Sequence, residues 1–142
     1  MGVSLPLPNE LILLITDGLW PDRKSAQSQN LHPLLAQEIV RQFAPEEETI
    51  FLNPSPFKTV AEERKHNADW WNKHCALNEI DPERALIIGD FGLGSDAPII
   101  LDYRTSVPEL LRLRWEVNGN HWVKCGITVT HFAAQIRRAT KS

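Results

Sequence analysis

The chain has 142 residues, 42% of them apolar, enough to bury one core without metal or disulfide staples, so a single domain over residues 1–142 is expected. A formal net charge of −3 gives no general attraction to nucleic acid or to anionic lipid, and neither is expected as a partner. The first apolar run, residues 11–15, is too short to cross a bilayer and lacks a basic leader, which predicts a cytoplasmic protein.

Pro8 followed by the apolar run predicts a short buried helix that Asp17-Gly18 ends. Residues 19–33 are polar and without period, and read as a long surface loop in which Trp20 is exposed. Leu34, Leu35, Ile39, Val40 and Phe43 recur at helical spacing, and Pro45 closes that helix before the acidic run Glu46-Glu47-Glu48. Thr49-Ile50-Phe51-Leu52 predicts a strand stopped by Pro54 and Pro56. Thr59 with Glu62 three residues on is a capping box for a third helix running to Cys75, with Val60, Arg64, Asn67, Trp71, His74 and Cys75 on one face.

Leu86-Ile87-Ile88, residues 98–103 and residues 110–117 predict three further strands. The last carries Leu111, Leu113, Trp115 and Val117 on its inner face and Arg112, Arg114 and Glu116 on its outer one. Asn118-Gly119 predicts a two-residue type I′ turn, because both residues tolerate positive φ, and that register sets Trp115 opposite Trp122. A final helix from about Thr130 to Arg138 covers the sheet with Phe132, Ala133 and Ile136. The sum is an α+β fold with a central, mainly antiparallel sheet flanked by helices.

Residues 89–96, Gly-Asp-Phe-Gly-Leu-Gly-Ser-Asp, offer glycines to an anion, but a strand and not a helix follows, and no Gly-Lys-Ser/Thr is present. A strand-to-strand connection is the better reading, with Asp90 and Asp96 capping turns. Asp90, Asp96 and Asp102 do not reproduce a calcium loop. His121 and Cys125 lie roughly 13 Å apart along a strand, too far to share one ion. No metal, cofactor or catalytic set is assigned. Cys75 and Cys125 have no framework spacing and are expected as thiols.

Residues 85–96, Pro98-Ile99-Ile100-Leu101-Asp102-Tyr103-Arg104, Leu113-Arg114-Trp115, Trp122-Val123 and Phe132 together resemble the SUKH superfamily, in its branch of Smi/Knr-type cell-wall regulators. They follow its order of an Ile-Gly loop, a Leu-Asp strand, a Trp-bearing hairpin and a final helix with phenylalanine. Leu7-Pro8 and Asp17-Gly18 are a weaker counterpart at the start, and Thr128-Val129-Thr130-His131-Phe132 departs from the family's last helix start. The resemblance implies a SUKH-like α+β domain without catalytic apparatus. Many bacterial members look like immunity proteins that neutralise toxins of polymorphic or contact-dependent systems.

The expected function is therefore non-enzymatic binding of a protein partner, a toxin, in which the acidic runs 46–48 and 62–63 could meet a basic nuclease. The candidate binding surface is Trp20, Trp70, Asp90, Asp96 and Tyr103. Two alternatives stand beside it: a small-ligand or metal-dependent activity at loop 89–96 through Asp90 and Asp96, and a regulatory scaffold role.

Overall fold

In the computed structural model, which describes residues 5–91 and 97–140, the chain runs α1 (Asn9–Thr16), α2 (Gln37–Phe43), β1 (Ile50–Leu52), β2 (Lys58–Thr59), α3 (Val60–His66) and α4 (Ala68–His74). It continues β3 (Ala85–Phe91), β4 (Ala97–Asp102), β5 (Glu109–Arg114), β6 (His121–Lys124) and α5 (Val129–Thr140). The strands form one antiparallel sheet in the order β1-β3-β4-β5-β6, and β2 pairs with β3 on the same edge as β1. The fold is α+β, with helices on both faces of the sheet.

Alternation along the strands sorts the side chains onto the two faces. Leu86, Ile88, Ile99 and Leu101 join Leu11, Leu14, Val40, Phe43, Phe132 and Ile136 in a core beneath α1, α2 and α5. Ile87, Ile100, Leu111 and Leu113 meet Val60, Trp71 and Cys75 of α3 and α4 on the opposite face. That second layer is smaller, and part of its sheet face is left uncovered.

Several local expectations are met by their own chemistry. α1 ends at Asp17-Gly18. Thr59 Oγ1 accepts from the Glu62 N–H at 3.1 Å while Glu62 Oε1 accepts from the Thr59 N–H at 2.9 Å, a complete capping box. Thr59→Ala is expected to cost about 1 kcal/mol and to lower the melting temperature by about 3 °C. A thermal melt that does not move would remove the box as a contributor.

Four expectations are corrected. Residues 19–33 lie mostly at the surface as expected, but Trp20 is not exposed: the segment holds the 3-10 turn Ala26–Asn30 and buries Trp20, Ala26 and Gln29. Gln29 acts as a missing strand partner, because its amide accepts from the Leu52 N–H at 2.8 Å and donates to the Leu52 carbonyl at 3.0 Å, closing the outer edge of β1. α2 begins at Gln37, so Leu34 and Leu35 precede it, with Leu35 buried in the core all the same. The third helix is two helices, broken where Asn67 leaves helical geometry at φ −149°, and Arg64 Nε bridges the break to Asn72 Oδ1 at 2.8 Å.

The fourth correction concerns β5 and β6. Pairing ends at Arg114 and His121, and Trp122 lies opposite Leu113, so six residues and not two make the connection. Gly119 has φ 122° and its N–H bonds the Glu116 carbonyl, while Asn118 is not among the described residues of positive φ. Tertiary bonds override the local turn preference: Asn120 ties the Glu116 N–H to the His74 carbonyl, and Glu79 Oε1 accepts from the Trp122 N–H at 2.8 Å. Trp115 and Val117 therefore stand out of the core, at 48% and 103% exposure. Arg112, expected on the solvent face, is buried at 4% and pairs with Glu46 at 2.6 Å.

Candidate functional site

A β-bulge in β3 sets the site. Leu86 and Ile88 point into the larger core, and strict alternation would send Asp90 after them. Instead Ile87 pairs with Ile100 and Gly89 with Ile99, so the strand holds one extra residue at Ile88. Beyond it the parity is reversed: Phe91 enters the core and Asp90, opposite Phe51 and Pro98, turns to the uncovered part of the other face. Gly89 is needed at this crossing because a Cβ there would lie 2.6 Å from the Phe51 carbonyl oxygen.

Asp90, Phe51 and Pro98 form the floor of an open groove of about 770 Å³. Trp70, partly buried, and Asn67 make one wall from the α3–α4 junction. The opposite rim is residues 53–58, an excursion between β1 and β2 that leaves the sheet edge at Pro54 and returns at Lys58, with Arg23 and Gln27 beyond it. Aromatic faces, prolines and side-chain amides dominate this lining, which suits a flexible polypeptide better than a small charged substrate. Lys58 and Glu63 pair across one end at 3.7 Å.

An aromatic ladder holds the excursion in place. Phe43 stands edge-on to Phe132 at 4.9 Å, Phe132 to Trp20 at 6.0 Å and Trp20 to Phe57 at 5.6 Å, running from the core to the groove rim. Trp20 Nε1 donates to the Asn53 carbonyl at 2.7 Å. Trp20 is thus 4% exposed and is not a surface anchor; it supports the rim from below. Its indole N–H needed a buried acceptor, and the excursion supplies one.

Of the other sequence candidates, Trp70 and Asp90 are brought together in the groove. Asp90 Oδ1 accepts from the Ala97 N–H at 3.2 Å, tying β3 to the start of β4. Asp96, with the rest of residues 92–96, lies outside the described residues. Tyr103 is elsewhere: it follows the far end of β4, donates its hydroxyl to the Pro6 carbonyl at 2.9 Å, and burial pushes its phenol up to about 12. It anchors the residues before α1. Asp102 is likewise taken, by Arg104 Nε and Nη2, at the end of β4 away from Pro98.

Burial, reinforced by the Asp90 charge, pushes the Cys75 thiol up to about 12, and burial does the same to Cys125, so neither is a thiolate nucleophile at neutral pH. Among the described residues no three His, Cys, Asp or Glu side chains converge on a point where a metal ion could sit. No helix among them is long and apolar enough to cross a membrane. The acidic run is largely matched within the fold: Glu46 serves Arg112 and Arg114, and Glu48 faces Arg41. Burial, and then the neighbouring Glu46, raises the Glu47 carboxyl above its ordinary range.

The sequence pointed to Trp70 and Asp90 but missed the rim. Its signal was present in the prolines at 54 and 56, which punctuate a strand that resumes at Lys58. Set against protein-family models, curated proteins and solved structures, the chain matches none.

Proposed function

We propose that this chain is a non-enzymatic protein-binding domain of SUKH type, an immunity protein that neutralises a toxin of a bacterial polymorphic or contact-dependent system. The observation that carries the reading is the groove made by the β3 bulge. It gathers a wide, rigidly supported surface of aromatic, proline and amide groups around Asp90, and these are recognition chemistry. The fold class agrees with the resemblance in residues 85–104. In this reading the partner meets the groove in preference to run 46–48, where Glu46 and Glu48 are engaged within the chain.

The test is co-expression with each toxin encoded beside the gene, followed by isolation of the complex. Growth rescue and a stable complex are expected, with affinity falling at least about tenfold in Trp70→Ala, as for a partly exposed aromatic anchor. Absence of both rescue and complex with every neighbouring toxin overturns the immunity role. An unchanged affinity in Trp70→Ala moves the interface away from the groove.

A further inference from the structure

A second recessed surface lies on the other flank of α4, between its C-terminal turn and the long β5–β6 connection. It encloses about 620 Å³ and shares no lining residue with the groove at Asp90. Trp115 and Val117 stand on its hairpin side, and the Trp115 ring lies against His74 at 5.3 Å with planes tilted by 31°. His74 in turn meets Trp70 at 6.0 Å, so the aromatic surface is continuous around α4. Its walls are fixed by the Asn120 bridge between the Glu116 N–H and the His74 carbonyl, and by Ala76, whose φ of 42° turns the chain sharply after α4. Little ordering is left to occur on binding.

The charges on this surface are unbalanced. Glu116, the acid in its lining, is held by Arg114 at 3.5 Å and faces His121 Nε2 at 4.0 Å. Arg64 and Lys73 line the opposite wall, and among the described residues neither has a carboxylate within ion-pair distance. The Arg64 guanidinium is steadied through Nε by Asn72 Oδ1, so its fork is oriented before any ligand arrives.

We infer that this surface docks an acidic, extended segment of a protein partner, which sets a carboxylate on Arg64 and Lys73 and an apolar side chain between Trp115 and Val117. Single-stranded nucleic acid would also use a cation and an aromatic ring. It leaves the fully exposed Val117 without a role, however, and the inner face of Trp115 is already occupied by His74. The acidic segment uses all four groups.

The experiment is an array of random nine-residue peptides probed with the labelled full chain, followed by fluorescence anisotropy of the strongest peptide. Binding sequences are expected to be enriched in Asp or Glu beside Leu, Ile or Phe. Their affinity should fall about tenfold in Arg64→Gln and in Trp115→Ala, and not at all in Arg23→Gln, which lies on the rim of the other groove. Circular dichroism confirms that both variants fold. Binders without acidic residues, or affinity unmoved by both substitutions, overturn the inference. So does a labelled oligothymidine that binds more tightly than any peptide and loses affinity in the same two variants.

Discussion

Phe132→Ala should be among the most damaging truncations of the described core, costing about 4 kcal/mol and lowering the melting temperature by about 12 °C. The ring is fully buried and stands edge-on to both Phe43 and Trp20, so its loss removes two aromatic contacts and leaves a cavity in the core. The effect should also travel. Trp20 braces Phe57 and bonds the Asn53 carbonyl, so its loosening should raise amide exchange across residues 53–58 more than in β4 or β5. A melt within a few degrees of wild type, or protection at 53–58 unchanged relative to β4, would show that the ladder does not support the rim.

That ladder also explains which parts of the fold were legible in the sequence. α1, β1, the capping box at Thr59 and α5 follow from local chemistry: a proline entry, a Thr-x-x-Glu pair, and apolar residues at the period of one helix face. β3 and β4 were legible as apolar runs buried on both faces. What failed were segments whose conformation is decided by distant partners. Trp20 reads as exposed because it opens a polar stretch without period, yet Asn53, 33 residues away, supplies its acceptor and Phe132 its packing. Gln29 carries no periodic signal at all, and its amide completes the edge of β1.

The β5–β6 connection failed for the same reason in a more instructive way. Asn118-Gly119 is a strong local turn signal worth a few tenths to about 1 kcal/mol. It competes against Asn120 reaching two backbone groups, Glu79 reaching the Trp122 N–H, and Trp122 Nε1 donating to the Cys75 carbonyl. The three of these that are tertiary, each worth about 1 kcal/mol, together exceed it. At the groove, Trp70 and Asp90 were legible as residue types in suggestive places. Their meeting was not, because it depends on the bulge, and a bulge shifts parity without a signature beyond one glycine.

Gly89→Ala tests that bulge directly. Gly89 is not one of the positive-φ glycines, so alanine meets no torsional penalty there; the obstacle is the Phe51 carbonyl oxygen, 2.6 Å from where its Cβ must sit. That oxygen belongs to the β1 backbone and cannot swing aside as a flexible side chain would. Either β1 moves off β3, losing the pairs from Ile50 to Leu52, or β3 shifts its register and drives Asp90 toward the larger core. The first breaks the groove floor at Phe51 and the second buries a carboxylate among Leu86, Ile88 and Phe91, so both routes are unfavourable. The expected cost is about 3 kcal/mol, read as a melting temperature roughly 9 °C lower. Binding of the proposed partner at the groove should weaken more than stability alone accounts for, measured at a temperature where the variant is still folded. Gly119→Ala is the control, since nothing lies within 4 Å of its Cβ and only its φ of 122° is strained. It should cost about 1 kcal/mol and leave groove binding intact. If the two variants melt together, the close approach at Phe51 is not what makes glycine necessary at position 89, and the parity argument for Asp90 loses its anchor.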